Sequence, residues 1–226
     1  PLPTPEQEKS QAEFDNRIKD LEKEAHEIVA GMNYIDPATL TNTPKPAPQE
    51  IAWIDDAFPK GAQVSINEGN LTNRWVTKNE GPVYSGEGSL LRAGKGLHQT
   101  FFSQGAEPLT VGSGDKFFAY VYLDPADPPK AVMLQYHTQG WANRGNWGDS
   151  EAIPYGTKGT FEKVQIGELP EAGKWAKLEV DAAVLGIKPG TRVTGLAFTQ
   201  FDGKAYWDKA GLVSVNDPAS NPEISL

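Results

Sequence analysis

The chain has 226 residues, with 21 Lys+Arg against 30 Asp+Glu and a net charge of −9. That acidic, evenly spread balance argues against a nucleic-acid binder, which needs a basic stripe to displace counterions from phosphates. The absence of Cys excludes disulfide scaffolds, Cys-ligated zinc, iron–sulfur clusters, thiol catalysis and covalent c-type haem within the chain.

The first element is a helix over Glu6–Ala30. Phe14, Ile18, Leu21, Ala25 and Ile28 recur at spacings of 4, 3, 4 and 3, the apolar stripe of a helix. Thr4 followed by Pro5 supplies a start, and Gly31 with Asn33 a stop. A stripe this short needs a partner surface, either a second copy in a coiled coil or the rest of a parent protein. Residues 1–36 are therefore read as an amphipathic helical segment. Residues 37–50 carry four prolines and read as a stiff linker. The chain opens on Pro1 without a signal-peptide pattern, and it reads as part of a longer or processed protein. No apolar run approaches the ~20 residues of a bilayer-spanning helix.

From residue 51 to 216 the texture is β. The runs FFAYVYL (117–123), AVMLQYH (131–137), KWAKLEV (174–180), RVTGLAFTQF (192–201) and AYWDKAGLVSV (205–215) are β-branched and aromatic. NEGN (67–70), GSGD (112–115), DPADPP (124–129), KPG (188–190) and DG (202–203) separate them as turns. DAAVLG (181–186) is a single helical turn. Many short strands imply an all-β fold, a two-sheet antiparallel β-sandwich of jelly-roll type with an N-terminal helix. Residues 217–226 form a tail. Trp53, Trp175 and Phe198 fall in strand runs and are expected in the core. Phe118, Tyr120 and Tyr122 share one strand face, which is either core or a binding face beside Gln135, His137 and Gln200.

Reactive constellations are few. There are three His, at 26, 98 and 137, without H-x-x-x-H spacing for zinc. Neither a nucleophile elbow nor a phosphate loop occurs. No strand carries the spaced carboxylates of a glycosidase, and Asp55–Asp56 are adjacent. Gln135 and His137 alternate on one strand face with Tyr136 facing the other way, a sparse beginning for a lyase set. The residues thus point away from an enzyme.

Several stretches resemble a known family. WIDDAFPKGA (53–62) looks like the first strand of galactose-binding-like jelly rolls. GKWAKLEVDAAVLGIKPGTRVTGLAFTQFDGKAYWDKAGL (173–212) resembles the closing strands of carbohydrate-binding modules on that fold. PVYSGEGSLLR (82–92), DKFFAYVYLDPADPPKAVMLQY (115–136), GWANRGNWGD (140–149) and the helical TPEQEKSQAEFDNRIKDLEKE (4–24) are similar to a module of large planctomycete proteins. Those proteins also carry a cytochrome-c-like domain and planctomycete-specific domains of unknown function.

The resemblance implies a non-catalytic carbohydrate-binding module that targets a larger parent to polysaccharide, in a cell-surface, periplasmic or extracellular setting. The alternative is a structural domain that docks the other domains of its parent and binds no sugar. Sugar recognition uses aromatic faces and hydrogen-bonding amides, guanidinium groups and carboxylates. The stretch 140–156, read as a Gly- and Asn-rich loop, gathers Trp141, Arg144, Asn146, Trp147, Asp149 and Tyr155, the expected ligand surface. Arg144, with Arg74 and Arg92, is a candidate clamp for sulfate or carboxylate on an anionic polysaccharide. The resemblance also implies a structural Ca²⁺ tying first and last strands, with Asp55, Asp56 and Asp208 as its carboxylates.

Overall fold

The computed structural model describes residues 4–31, 47–67 and 72–214, in two units, Pro1–Lys45 and Pro46–Leu226. In the first unit, helix α1 runs Pro5–Gly31. It starts in a capping box. Gln7 N–H donates to Thr4 Oγ1 at 3.4 Å, and Thr4 N–H donates to Gln7 Oε1 at 2.9 Å. None of its residues is buried; Phe14, Ile18, Leu21 and Ile28 are 47–69% exposed. The expected stop at Asn33, the prolines at 37, 44 and 46, the turn at 68–70 and the tail 217–226 lie outside the described residues.

The second unit is built of strands. In chain order they are β1 (Gln49–Ile54), β2 (Val64–Asn67), β3 (Thr72–Thr77), β4 (Gly88–Ala93), β5 (Leu97–Phe102), β6 (Leu109–Thr110) and β7 (Lys116–Leu123). There follow β8 (Ala131–His137), β9 (Asn143–Gly148), β10 (Val164–Gly167), β11 (Trp175–Asp181), β12 (Arg192–Val193), β13 (Gly195–Phe201) and β14 (Lys204–Ser214). The first sheet is ordered β11-β7-β14-β4-β3, with β1 also paired to β14. The second is ordered β10-β9-β8-β13-β5-β2, antiparallel except where β10 lies parallel to β9. β6 and β12 form a small separate ladder.

Side-chain alternation places the core between the two sheets. From β7, Phe117, Ala119, Val121 and Leu123 turn inward, and from β8, Val132, Leu134 and Tyr136. Ring pairs cross the interface, among them Phe117 on Tyr136 at 3.9 Å, Phe198 on Trp207 at 4.7 Å, and Trp53 edge-on to Phe102 at 4.9 Å. The turn 182–187 closes one end through Leu185 and Ile187, its bonds Val184 N–H to Asp181 O and Leu185 N–H to Ala182 O making the single helical turn read from sequence. This is the expected two-sheet β-sandwich.

Trp175 and Arg92 are placed differently from expectation, and the face that Tyr120 and Tyr122 would share with Gln135, His137 and Gln200 does not form. Trp175 packs on the outer face of the first sheet, beside Tyr122, Tyr206 and Leu91. Tyr120 and Tyr122 share that outer face, Gln135 and His137 lie on the outer face of the other sheet, and Gln200 points into the core, where it accepts from Trp207 Nε1 at 3.4 Å. The three groups share no surface, because strand parity puts the two sheets back to back. Arg92 is fully buried, with Nη1 donating to Phe198 O at 2.6 Å and Nη2 to His98 Nδ1 at 2.8 Å. Burial lowers its pKa to about 9, and this guanidinium is closed to an external anion.

Candidate functional site

The outer face of the second sheet is the candidate site. One row of residues crosses it in register: Arg144 opposite Gln135, Gln135 opposite Ala197, Ala197 opposite Phe101, and Phe101 opposite Ser65. The adjacent row brings Asn146, Met133, Thr199 and Gln99 together. The middle strand contributes only small side chains here, Gly195 and Ala197. The strands on either side contribute tall ones, His137 from β8 and Phe101 from β5.

Trp141, in the turn after β8, fills the step between them. Its ring meets Phe101 edge-on at 5.6 Å and His137 at 5.1 Å, so it spans β13 over Gly195 and Ala197. The indole is half-buried, resting on two rings with its remaining surface open. His137 holds its own place through Nδ1, 2.7 Å from Thr194 Oγ1, and burial lowers its pKa.

Beside the aromatic step lies an amide network. Gln135 Nε2 donates to Gln99 Oε1 at 2.9 Å and to Thr199 Oγ1 at 2.6 Å. Thr199 Oγ1 donates to Gln99 Oε1 at 3.1 Å. Arg144 Nε donates to Gln135 Oε1 at 2.7 Å, and Nη1 to Glu162 O at 3.1 Å. Tyr155 lies under the guanidinium, 6.0 Å from ring centre to Cζ. Gln135 is only 3% exposed; it orients Arg144 and Gln99 from below, while they form the surface. Two donors remain without a partner among the described residues, Gln99 Nε2 and Arg144 Nη2. Arg144 makes no ion pair among the described residues, and burial lowers its pKa.

The residues expected from the sequence divide. Trp141, Arg144, Asn146 and Tyr155 lie on this face. Asn146 is fully buried, donating through Nδ2 to Gln165 Oε1 at 2.8 Å, and so supports the face without lining it. Trp147 is a correction: it is 6% exposed and belongs to the intersheet core, because β9 is a strand and position 147 shares the inward parity of Gly145. Asp149 lies past the end of β9, exposed, its Oδ1 accepting from Glu151 N–H at 2.8 Å. Of the lyase set, Tyr136 is fully buried against Phe117 and is separated from Gln135 and His137.

Gln99 and Phe101 were missed. The segment LHQTFF alternates, but its inward set His98, Thr100 and Phe102 is as polar as its outward set Leu97, Gln99 and Phe101, which hides the face.

The three aspartates expected to hold calcium gather elsewhere, around the loop 84–88. Asp208, fully buried at a bulge in β14, accepts at Oδ2 from Tyr84 N–H (2.7 Å) and Ser85 N–H (3.2 Å), and at Oδ1 from Lys209 N–H (2.7 Å). Burial raises its pKa against the lowering effect of these bonds. Asp55 Oδ1 accepts from Ser85 Oγ at 2.7 Å, and Asp56 Oδ1 from Glu87 and Gly88 N–H, each at 2.7 Å. N–H and O–H dipoles aimed at these oxygens suit carboxylates acting as loop anchors and do not fit a calcium ligand set. Among the described residues no group of three or more His, Cys, Asp or Glu converges as a metal site.

No protein-family model matches the chain, and no curated protein matches it at a significant level. Among solved structures, the chain is similar to the glycoside hydrolase domain of Endo-D from Streptococcus pneumoniae, with 15% identity and a TM-score of 0.42 over 68% of this chain and 21% of that one. A structure described as a carbohydrate-binding module of the beta-sandwich superfamily matches at 15% identity and TM-score 0.42, covering 74% of this chain and 64% of its own. The CBM22-1 xylan-binding domain from Paenibacillus barcinonensis matches at 12% identity and TM-score 0.40, covering 76% and 99%. The chain thus spans about a fifth of the first and under two thirds of the second.

Proposed function

We propose that the outer face of the second sheet binds polysaccharide, and that the chain is a non-catalytic carbohydrate-binding module. The observation that carries this reading is Trp141, propped on Phe101 and His137 over the small residues of β13, beside Gln99 Nε2 and Arg144 Nη2, donors without a partner among the described residues. A pyranose ring needs this combination: an aromatic plane for its C–H face and fixed donors for its hydroxyls. The network beneath holds those donors before a ligand arrives, which lowers the ordering cost of binding. Arg144, with no ion pair of its own among the described residues, is the group that meets a sulfate or carboxylate on an acidic sugar.

The resemblance to planctomycete modules supports the wider reading of a larger, exported parent brought to polysaccharide by this domain. A calcium requirement is not part of the reading.

Affinity electrophoresis in gels cast with neutral and acidic polysaccharides tests it. The wild-type chain is retarded by at least one of them. Trp141→Ala loses about 1–3 kcal/mol of binding, roughly 5- to 150-fold. Arg144→Ala weakens retardation by acidic polysaccharides selectively. Unchanged mobility of Trp141→Ala on a polysaccharide that retards the wild type refutes the site.

A further inference from the structure

The opposite face of the sandwich carries an aromatic surface that the proposed site does not use. Six rings follow one another in contact across the outer face of the first sheet. Phe118 meets Tyr120 at 5.9 Å, Tyr120 stacks on Tyr84 at 3.6 Å, and Tyr84 meets Trp175 at 5.8 Å. Trp175 meets Tyr122 at 5.8 Å, and Tyr122 meets Tyr206 at 5.9 Å. The ends of the chain, Phe118 and Tyr206, are buried, whereas Tyr84 is 43% exposed and Trp175 and Tyr122 are half-buried. The open stretch is therefore Tyr84, Trp175 and Tyr122.

Tyr84 is not a strand residue, and its place on this surface is constructed. The ends of β1 and β4 leave a gap on the same edge of β14, opposite Asp208. The loop 84–88 enters that gap and is pinned by Asp208, Asp55 and Asp56 through the bonds given above. Gly81 lets the incoming chain press on Tyr206, where a Cβ would come within 2.6 Å of the ring. Two residues of the anchor, Asp56 (φ 58°) and Lys209 (φ 25°), hold left-handed backbone without being glycine. Such strain persists only where the surroundings enforce it, and here it fixes the loop that carries Tyr84.

The polar border of this surface fits a particular chemistry. Lys177 Nζ pairs with Glu50 at 3.0 Å and Glu179 at 2.9 Å, Lys209 with Glu50 at 2.9 Å, and Lys116 with Glu179 at 3.2 Å and Asp181 at 3.6 Å. Three ammonium and three carboxylate groups neutralise one another. A flat protein partner would have to strip water from all of them, at a cost several such pairs do not return. A neutral polyhydroxyl ligand leaves them hydrated and finds both donors and acceptors already fixed.

We propose that Tyr84, Trp175 and Tyr122 form a second saccharide-binding site, selective for neutral sugars, on the face opposite the Trp141 site. It shares with the preceding proposal only the class of ligand and stands on different residues. With two sites back to back, one domain bridges two polysaccharide chains.

The six Trp side chains report both faces separately through their indole N–H signals. The ¹⁵N-labelled full chain is titrated with neutral hexaoses of glucose, xylose, mannose and galactose units, and separately with hexagalacturonate. The proposal expects the Trp175 indole signal to move with at least one neutral hexaose and not with hexagalacturonate. Tyr84→Ala weakens that isotherm by about tenfold or more, Tyr84→Phe keeps it, and the Trp141 signal of both variants responds as in the wild type. That unchanged response also shows that the variants are folded. A Trp175 signal static to every neutral hexaose overturns the second site, whatever Trp141 does. A moving Trp175 with a Trp141 signal static to all ligands upholds this site and overturns the first.

Discussion

Trp141 and Trp147 lie six positions apart in one Gly- and Asn-rich stretch, yet alanine at each should produce opposite phenotypes. Trp147 is 6% exposed in the intersheet core. A buried indole removes about 150–250 Å² from water, worth roughly 4–6 kcal/mol at about 25 cal/mol per Å². Large-to-small core changes of this kind cost about 3–5 kcal/mol, which in a domain of this size lowers the melting temperature by roughly 6–20 °C. Trp141 is half-buried on two rings and outside the core, so Trp141→Ala should cost only about 1–2 kcal/mol of stability while losing most of the binding. The assay pairs thermal and urea unfolding, followed by circular dichroism, with affinity electrophoresis at a temperature where both variants are folded. Trp147→Ala should melt early and, while folded, bind within about threefold of the wild type. A Trp147→Ala variant that melts with the wild type and loses binding would refute the assignment of the two indoles to opposite faces.

Asp208→Ala strips the acceptor from three backbone N–H groups; water reaches those beside exposed Tyr84, and the buried charge is removed, so the net loss is about 3 kcal/mol, read by urea unfolding. Asp55→Ala, which frees one hydroxyl, should cost below about 1 kcal/mol in the same assay. Because the aspartates act as loop anchors, EDTA should leave the wild-type melting temperature unchanged, and a rise of several degrees with added Ca²⁺ would restore the ion to the account. For Glu50, burial raises the carboxyl's pKa, but hydrogen bonds from Lys209, Lys177 and Tyr120 outweigh it and bring it down from 4.5 to about 2. A depressed carboxyl contributes stability above its unfolded value that is lost as the pH falls. Unfolding of the wild type between pH 4.5 and 2 should therefore steepen by up to about 1.4 kcal/mol per pH unit relative to Glu50→Gln. Parallel pH profiles for the two would contradict the Lys–Glu–Tyr cluster.

The strands most legible in the sequence are those whose composition and position agree. AVMLQYH coincides with β8 to the residue, and FFAYVYL with all but the first residue of β7, because aromatic and β-branched runs bounded by turns leave few alternatives. β9 was illegible. NRGNWG has almost no strand propensity, and it is a strand because β8 supplies a ladder on one side and β10 on the other. That single miss hid the parity of the stretch, and with it the separation of Trp147 from Arg144 and Asn146. Gln99 and Phe101 were hidden for a different reason. Their strand points His98 inward, where it meets Arg92, and burial together with that charge lowers the histidine's pKa to about 4. A polar pair inside the sandwich inverts the usual rule that the polar face is the wet one. The aspartates show a third limit. The resemblance implied a shared calcium site for them, but sequence position alone does not distinguish an oxygen that meets a cation from one that accepts N–H bonds.

The central claim, that the Trp141 face binds polysaccharide, is tested most directly by a glycan array probed with the wild-type chain and with Trp141→Ala side by side. The account predicts selective signals for the wild type, weakened at least about fivefold by the substitution on the glycans that this face reads. A blank array from a folded wild-type chain would contradict it.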